Sequence, residues 1–375
     1  MAKDSVVFVS TIHRMSERVI SAINELQKDF DVKILNTGQS SFETDYEANT
    51  NYKNYVLKNF KSKSIFNTPR ILNSSHARQQ KNCKRIYDNA CNLIDKNTVA
   101  LILDDSRHRH YDEALYAHAK SNNSKVFANC HGNTPVGRMT MMYGQKDPKF
   151  YDNLFVLGDF DKEVLTSLGH NKETFLSGGI PANDDLIDAK KTNEYILVIA
   201  NMVLKSQAGS TTWDYTDKPL PMDRKTLSHM NLLELQNKLE KKVVFKLKHR
   251  MSSPMEKELN FLKSSIPEGL DYDIIYNTGN EKELISSAAC ILTYGSTMSF
   301  KPIQLEIPTV IYKDLGDLGN FSEYKGSISI EESYDFILEE NFMKNERKSF
   351  LSRTLAGGID FSSTKHYLDS FYNNL

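Results

Sequence analysis

Ser5-Val-Val-Phe-Val-Ser10, Glu17-Arg-Val-Ile-Ser-Ala-Ile-Asn-Glu-Leu-Gln27 and Asp31-Val-Lys-Ile-Leu35 decide the fold class. The first is a short β-branched run of the kind buried in a parallel sheet. The second places Val19, Ile20, Ile23 and Leu26 at helical spacing. The third is again a strand. Strand, helix and strand within about thirty residues form a βαβ unit, and the alternation continues outward from it. Thr98 to Leu103 and Lys125 to Asn129 are strands, with a helix around Glu113 to Lys120 between them. Asn153 to Leu157 and Glu173 to Ser177 are strands flanking a helix over Asp161 to Leu168. From Gly38 to Asn82 the chain is rich in Asn, Ser and Lys and reads as loops and short helices.

Gly178-Gly-Ile-Pro-Ala-Asn183 interrupts this rhythm, which then restarts with Tyr195-Ile-Leu-Val-Ile-Ala200. A helix over Leu227 to Glu240 follows, then strands at Lys242 to Leu247 and Tyr272 to Tyr276. A helix over Glu281 to Ala288 leads to strands at Cys290 to Thr293 and Thr309 to Tyr312. The tail from about Glu331 reads as amphipathic helices. Repeated β-α alternation implies mostly parallel sheets covered by helices. The expected fold class is therefore α/β, with two Rossmann-like domains facing across a cleft. The expected boundaries are 1–182 for an acceptor-side domain, 183–330 for a nucleotide-donor domain, and 331–375 for helices packing back on the first. Ligands of such domains bind outside the carboxyl ends of the strands.

Composition narrows the function classes. The 375 residues carry 47 basic and 48 acidic side chains, a formal charge of −1, which argues against a general nucleic-acid binder. The cysteines are Cys83, Cys91, Cys130 and Cys290; no C-x-x-C pair occurs, so neither a zinc site nor a disulfide framework is expected. The opening MAKDSVVFVS runs straight into a strand, without the apolar core of a signal peptide. No stretch reaches the roughly 18 apolar residues that a bilayer crossing needs. The expected location is the cytoplasm, with any membrane contact peripheral, at the inner face. No G-x-G-x-x-G, P-loop or G-x-S-x-G stands in its proper context, which disfavours dehydrogenases, P-loop kinases and α/β-hydrolases.

Three passages can carry chemistry. His131-Gly132 directly follows a strand, where a ligand would sit. A histidine there has the pKa range of a general base, or it simply caps the next element. Asn133 and Arg138, shortly downstream, could position an anionic group or be plain surface. His249 ends the strand Val243-Val-Phe-Lys-Leu-Lys-His-Arg250, and Lys246, Lys248 and Arg250 make that exit basic. Such a cluster suits a phosphate or diphosphate; the alternative is an edge strand whose lysines discourage aggregation. Thr293-Tyr-Gly-Ser-Thr-Met298 joins a strand to a helix, so Gly295, Ser296 and Thr297 form either an anion site or a simple N-cap. Asp104-Asp105 and Arg107-His-Arg-His110 are weak metal signals, and no metal is expected.

These passages together resemble the GT-B glycosyltransferase superfamily. More narrowly, they resemble the branch of CDP-glycerol glycerophosphotransferases and capsular-polysaccharide transferases. Val126-Phe-Ala-Asn-Cys-His-Gly132 is similar to that family's strand ending in His-Gly. Phe155-Val-Leu-Gly158 with Ser177-Gly-Gly-Ile-Pro-Ala-Asn-Asp184 is similar to its strand and hinge-entry turn. Phe245-Lys-Leu-Lys-His249 is similar to its second strand-terminal histidine, and Gly295-Ser-Thr-Met-Ser-Phe-Lys-Pro-Ile-Gln-Leu-Glu-Ile-Pro308 to its segment of Ser-Ser-Thr, a helix, and Gly-Lys-Pro before a strand. Arg250 stands where the family often has proline, and Lys301 where it often has an acid. The resemblance implies metal-independent transfer of a sugar or polyol phosphate from a CDP-, CMP- or UDP-linked donor to a hydroxyl of a glycan or lipid-linked acceptor, with no cofactor. It implies His131 as catalytic base. His249, Lys248, Gly295, Ser296 and Thr297 would hold the donor, with Gly132, Asn133, Arg138, Gly179, Arg250 and Lys301 as further candidates. A hydrolysing UDP-sugar 2-epimerase and a non-catalytic nucleotide-binding partner of a polysaccharide assembly complex remain as alternatives.

Overall fold

The computed structural model describes residues 3–10, 18–36, 65–67, 87–103, 112–130, 132, 150–200, 222–247, 255–276, 280–315 and 318–375. The chain divides into two compact units, one of residues 1–185 with 351–375, the other of residues 186–350. Each is a parallel sheet with helices, so the observed fold is α/β with two Rossmann-like units.

The first unit contains β1 (Ser5–Ser10), β2 (Asp31–Asn36), β3 (Ile65–Asn67), β4 (Thr98–Leu103), β5 (Lys125–Asn129), β6 (Asn153–Val156) and β7 (Phe175–Ser177). They form one sheet in the order β3-β2-β1-β4-β5-β6-β7, and every pairing is parallel. A parallel sheet covered on both faces selects unbroken apolar runs instead of alternation. Val6, Val7, Phe8 and Val9 are all fully buried, as are Leu101, Ile102 and Leu103. β3 lies in the polar stretch read as loops and short helices; it is a three-residue edge strand that pairs only with β2. An edge position asks for little apolar burial, which is why composition hid it.

The C-terminal segment completes this unit. Tyr367 and Phe371, on the helix Ser363–Asn374, pack with Val6, Phe8, Phe127 and Phe155. The Tyr367 ring stacks on Phe155 with centroids 4.0 Å apart. The helix start is held by Asp184, whose carboxylate accepts hydrogen bonds from the backbone N–H of Ser363 (3.0 Å) and Thr364 (2.6 Å). Two of the N–H groups that every helix start leaves unmatched are thereby satisfied.

The second unit contains β8 (Tyr195–Ala200), β9 (Lys242–Leu247), β10 (Tyr272–Tyr276), β11 (Ala288–Thr293), β12 (Thr309–Tyr312) and β13 (Ser327–Ile328). Their order is β10-β9-β8-β11-β12-β13, again all parallel. The single helix expected over Leu227 to Glu240 is two helices, Arg224–His229 and Leu232–Leu239. Asn231 between them is left-handed, with φ of 50°, a conformation that asparagine tolerates better than most residues. The break turns Leu227, Leu232 and Leu235 all inward to Phe245 and Leu262.

Candidate functional site

Strand order places a topological switch point in each sheet, where successive connections begin to run the opposite way. Ligands of open α/β sheets bind there, beyond the carboxyl ends of the strands. In the second unit the switch lies between β8 and β11. The residues leaving β11 are Tyr294, Gly295, Ser296 and Thr297.

That turn is organised by its own hydroxyls. Ser296 is extended (φ −118°, ψ 150°), and its Oγ accepts a hydrogen bond from the Met298 N–H at 3.4 Å. The buried Ser299 Oγ donates to the Tyr294 carbonyl at 3.0 Å. The Ser299 N–H donates to the Ser296 carbonyl at 2.8 Å. Ser296 is thus the N-cap of a 3-10 turn, Thr297–Ser299, which leads into a helix of five residues, Phe300–Gln304. So short an element contributes little dipole, and positive side chains must supply most of any attraction for an anion. Gly295, Ser296 and Thr297 are half-buried. Gly295 is not among the glycines with positive φ.

Two such side chains stand at this sheet edge. Lys246 is the penultimate residue of β9 and is only 7% exposed. β9 lies between β8 and β10 (Ile199 and Ile275 flank Lys246), so it is not an edge strand, and the aggregation-guard reading of its lysine fails. Lys301 is the second residue of the five-residue helix. Both approach Glu281, the first residue of the helix Glu281–Ser286 that follows β10. Lys301 Nζ donates to Glu281 Oε2 at 2.9 Å, and Lys246 Nζ lies 3.9 Å from Oε1. Glu281 carries no distinguishing signal in the sequence, because an acid in a helix's first turn is commonplace.

In the first unit the switch lies between β1 and β4, and β5 is the next strand over. Its end is anchored from three directions. The Cys130 N–H donates to the Phe155 carbonyl at 2.9 Å, and the buried Arg18 donates Nη1 to the Cys130 carbonyl at 2.5 Å. Tyr367 donates its hydroxyl to Asn129 Oδ1 at 3.0 Å. Gly132 has φ of 96°, a region that a side chain at Cβ disfavours, which accounts for glycine after the histidine. Arg18, Asn129 and Tyr367 were not singled out in the sequence, since each contact spans more than a hundred residues.

Several candidates lie outside the described residues: His131, Asn133, Arg138, Lys248, His249 and Arg250, together with Asp104, Asp105 and residues 107–110. Gly179 is described and lies in the turn after β7. Its φ is 64°, and a Cβ there would meet the Ala356 carbonyl at 2.2 Å and Ser363 Oγ at 2.5 Å. Its place is explained by the docking of the C-terminal segment. Asp184 of the same turn caps that segment. Burial pushes its carboxyl above the ordinary range, opposed by the bonds from Thr364 and Ser363. Among the described residues no group of three or more His, Cys, Asp or Glu is placed to hold a metal, and no helix is long and apolar enough to cross a membrane.

No protein-family model matches the chain, and no curated protein matches it by sequence. Solved structures match its fold along nearly the whole length. The UDP-GlcNAc 2-epimerase of Neisseria meningitidis, bound to UDP-GlcNAc, gives a TM-score of 0.60 at 12% identity, over 99% of this chain and 100% of that one. The UDP-GlcNAc 2-epimerase of Methanocaldococcus jannaschii gives 0.60 at 13% identity, over 98% and 99%. The wall teichoic acid polymerase TagF, soaked with CDPG, gives 0.54 at 12% identity, over 99% of this chain and 88% of that one. The likeness is one of fold, and the fold is GT-B-like.

Proposed function

We propose that this protein is an enzyme acting on a nucleotide-activated sugar or polyol, and that it transfers the sugar or polyol phosphate to an acceptor hydroxyl without a metal. The observation that carries this reading is the convergence of Lys246 and Lys301 on Glu281 at the carboxyl edge of the second sheet, with Lys301 on the helix that follows the hydroxyl-rich turn after β11. Fixed positive charge at the phosphate of the departing nucleotide, a nucleoside diphosphate when a sugar moves from a diphosphate-linked donor and a nucleoside monophosphate when a polyol phosphate moves, does the work that a metal does elsewhere, and it acts where negative charge grows in the transition state. Ser296 and Thr297 are assigned to the donor, with Gly295 allowing close approach. Lys248 and His249, the next two residues in sequence after β9, are assigned to the same phosphate, with Arg250 following them in sequence. His131 is assigned as the base that takes the acceptor's proton, with Gly132, Asn133 and Arg138 near it in sequence. The acceptor is a glycan or lipid-linked carrier, reached by a cytoplasmic protein that touches the inner face of the membrane peripherally.

A second reading, hydrolysis and 2-epimerisation of a UDP-sugar, draws on the epimerases that share the fold. Moving a proton at carbon asks for acids available as bases. The carboxylate described at the second sheet edge, Glu281, is paired with two lysines, and this favours transfer.

Thermal unfolding with CMP, CDP, UDP, GDP and ADP tests both readings. A ligand at a hundred times its dissociation constant adds about 2.7 kcal/mol of stability. One pyrimidine nucleotide should raise the transition, His249→Ala or Thr297→Ala should remove that rise, and His131→Ala should keep it while losing turnover. Release of UDP from UDP-GlcNAc with no acceptor present selects the epimerase. Absence of any nucleotide response sinks both.

A further inference from the structure

We propose that Lys246, Glu281 and Lys301 form a phosphate site that carries its own removable counter-anion. Glu281 occupies the two ammonium groups when the site is empty, and a phosphate or diphosphate binds by displacing its carboxylate. The inference deepens the nucleotide reading above by assigning where its phosphates sit, and it rests on that reading only for the rest of the ligand.

The argument starts from burial. An ammonium taken out of water requires a partner that returns most of its lost hydration, both in charge and in hydrogen bonds. Lys246 is buried within an apolar strand. Among the described residues its opposite charge is Glu281 at 3.9 Å, beyond hydrogen-bond reach. Lys301 takes the close contact with the other carboxylate oxygen, at 2.9 Å. One carboxylate therefore faces both ammonium groups, and of the two only Lys301 is within hydrogen-bond reach of it.

Charge and position name the ligand. With the carboxylate swung away, the two lysines present two positive charges, matching the two negative charges of a phosphate dianion or a diphosphate within a nucleotide. Such a group offers enough oxygens to bond both ammoniums at once. The three residues come from the end of β9, from the segment after β10 and from the segment after β11, which is the sheet edge where α/β proteins take ligands. Glu281 begins its helix and its side chain is 24% exposed, so water and a ligand can reach its carboxylate.

The test is titration calorimetry of the full chain with inorganic pyrophosphate, orthophosphate and UDP at one fixed low salt concentration. Glu281→Gln removes the competing charge and should tighten pyrophosphate binding about tenfold. Lys246→Met should weaken it tenfold or more. Lys301→Met, at a less buried position, carries the same test should Lys246→Met fail to fold. A Glu281→Gln protein that binds pyrophosphate no more tightly than wild type overturns the proposal. So does a folded lysine variant that binds normally, or a wild type that binds neither inorganic anion. Pyrophosphate binding with the expected order of variants but no response to any nucleotide retains this site and removes the nucleotide reading.

Discussion

Replacing Gly179 by alanine tests how the C-terminal segment is joined to the first unit, and the structure sets the size of the effect in two parts. Its φ of 64° is left-handed, and a side chain there costs about 1–2 kcal/mol. The added methyl would also lie 2.2 Å from the Ala356 carbonyl and 2.5 Å from Ser363 Oγ. Both neighbours are pinned: the Ala356 N–H donates to the Leu157 carbonyl at 2.8 Å, and Ser363 Oγ donates to the Ala356 carbonyl at 2.6 Å. Overpacking a site that cannot yield costs about 1–3 kcal/mol. The total is roughly 2–5 kcal/mol, and units of this size lose about 2–4 °C of Tm per kcal/mol. Gly179→Ala should therefore lower the unfolding of the first unit by about 4–20 °C. Gly269→Ala is the control, because its φ is 84° but the nearest atom to its Cβ is Leu233 Cδ2 at 4.0 Å. It bears only the conformational part, about 1–2 kcal/mol. Scanning calorimetry of both variants reads the two costs. Equal shifts would show that the Ala356–Ser363 contact adds nothing, and an unshifted Gly179→Ala would refute the docking geometry itself.

Two further outcomes follow from the same unit. Tyr367→Phe keeps the stack on Phe155 but strands the buried Asn129 Oδ1, so urea unfolding should show a loss of about 1–3 kcal/mol; a neutral result would mean that the Tyr367–Asn129 bond is not made. Asp184 gives a pH signature: its folded-state pKa is raised, with burial the leading cause, so the folded state holds the proton more tightly than the unfolded state. Its contribution is therefore fully present below the ordinary aspartate value and declines as pH rises through the folded-state value. Urea titrations across this window should show wild type losing stability relative to Asp184→Asn as pH increases, and the opposite trend would overturn the assignment.

The sheets were legible because parallel strands buried on both faces leave a signal that needs no partner to be seen. Val6 to Val9, Leu101 to Leu103 and Ile196 to Ala200 are apolar throughout, and length alone separates them from helices. Where a strand is very short or the backbone unusual, the signal faded. β3 sits at an edge, and the helix break at Asn231 depends on one left-handed residue in a sequence that reads as continuous helix. A returning C-terminal segment is an expectation of the sequence, but the contacts that join residues 351–375 to the first unit are not legible in it: close approach at Gly179 and capping by Asp184, more than 170 residues earlier. Glycine and aspartate in a turn would read the same with or without that partner.

The candidate site shows the same divide in electrostatic form. Lys246 reads as a guard lysine on an exposed strand until the strand order makes β9 internal, and burial then turns a solvated charge into one that needs an answer. That answer, Glu281, lies 35 residues on from Lys246 and 20 residues before Lys301. No periodicity of strand or helix relates those three positions; only the sheet does, by bringing the ends of β9, β10 and β11 to one edge. Lys301, which stands where the resembled pattern often has an acid, is thus not a simple loss of negative charge. An acid from a different segment stands against it at 2.9 Å, and whether Glu281 yields to a phosphate decides whether the exchange of sign still leaves a site that binds one.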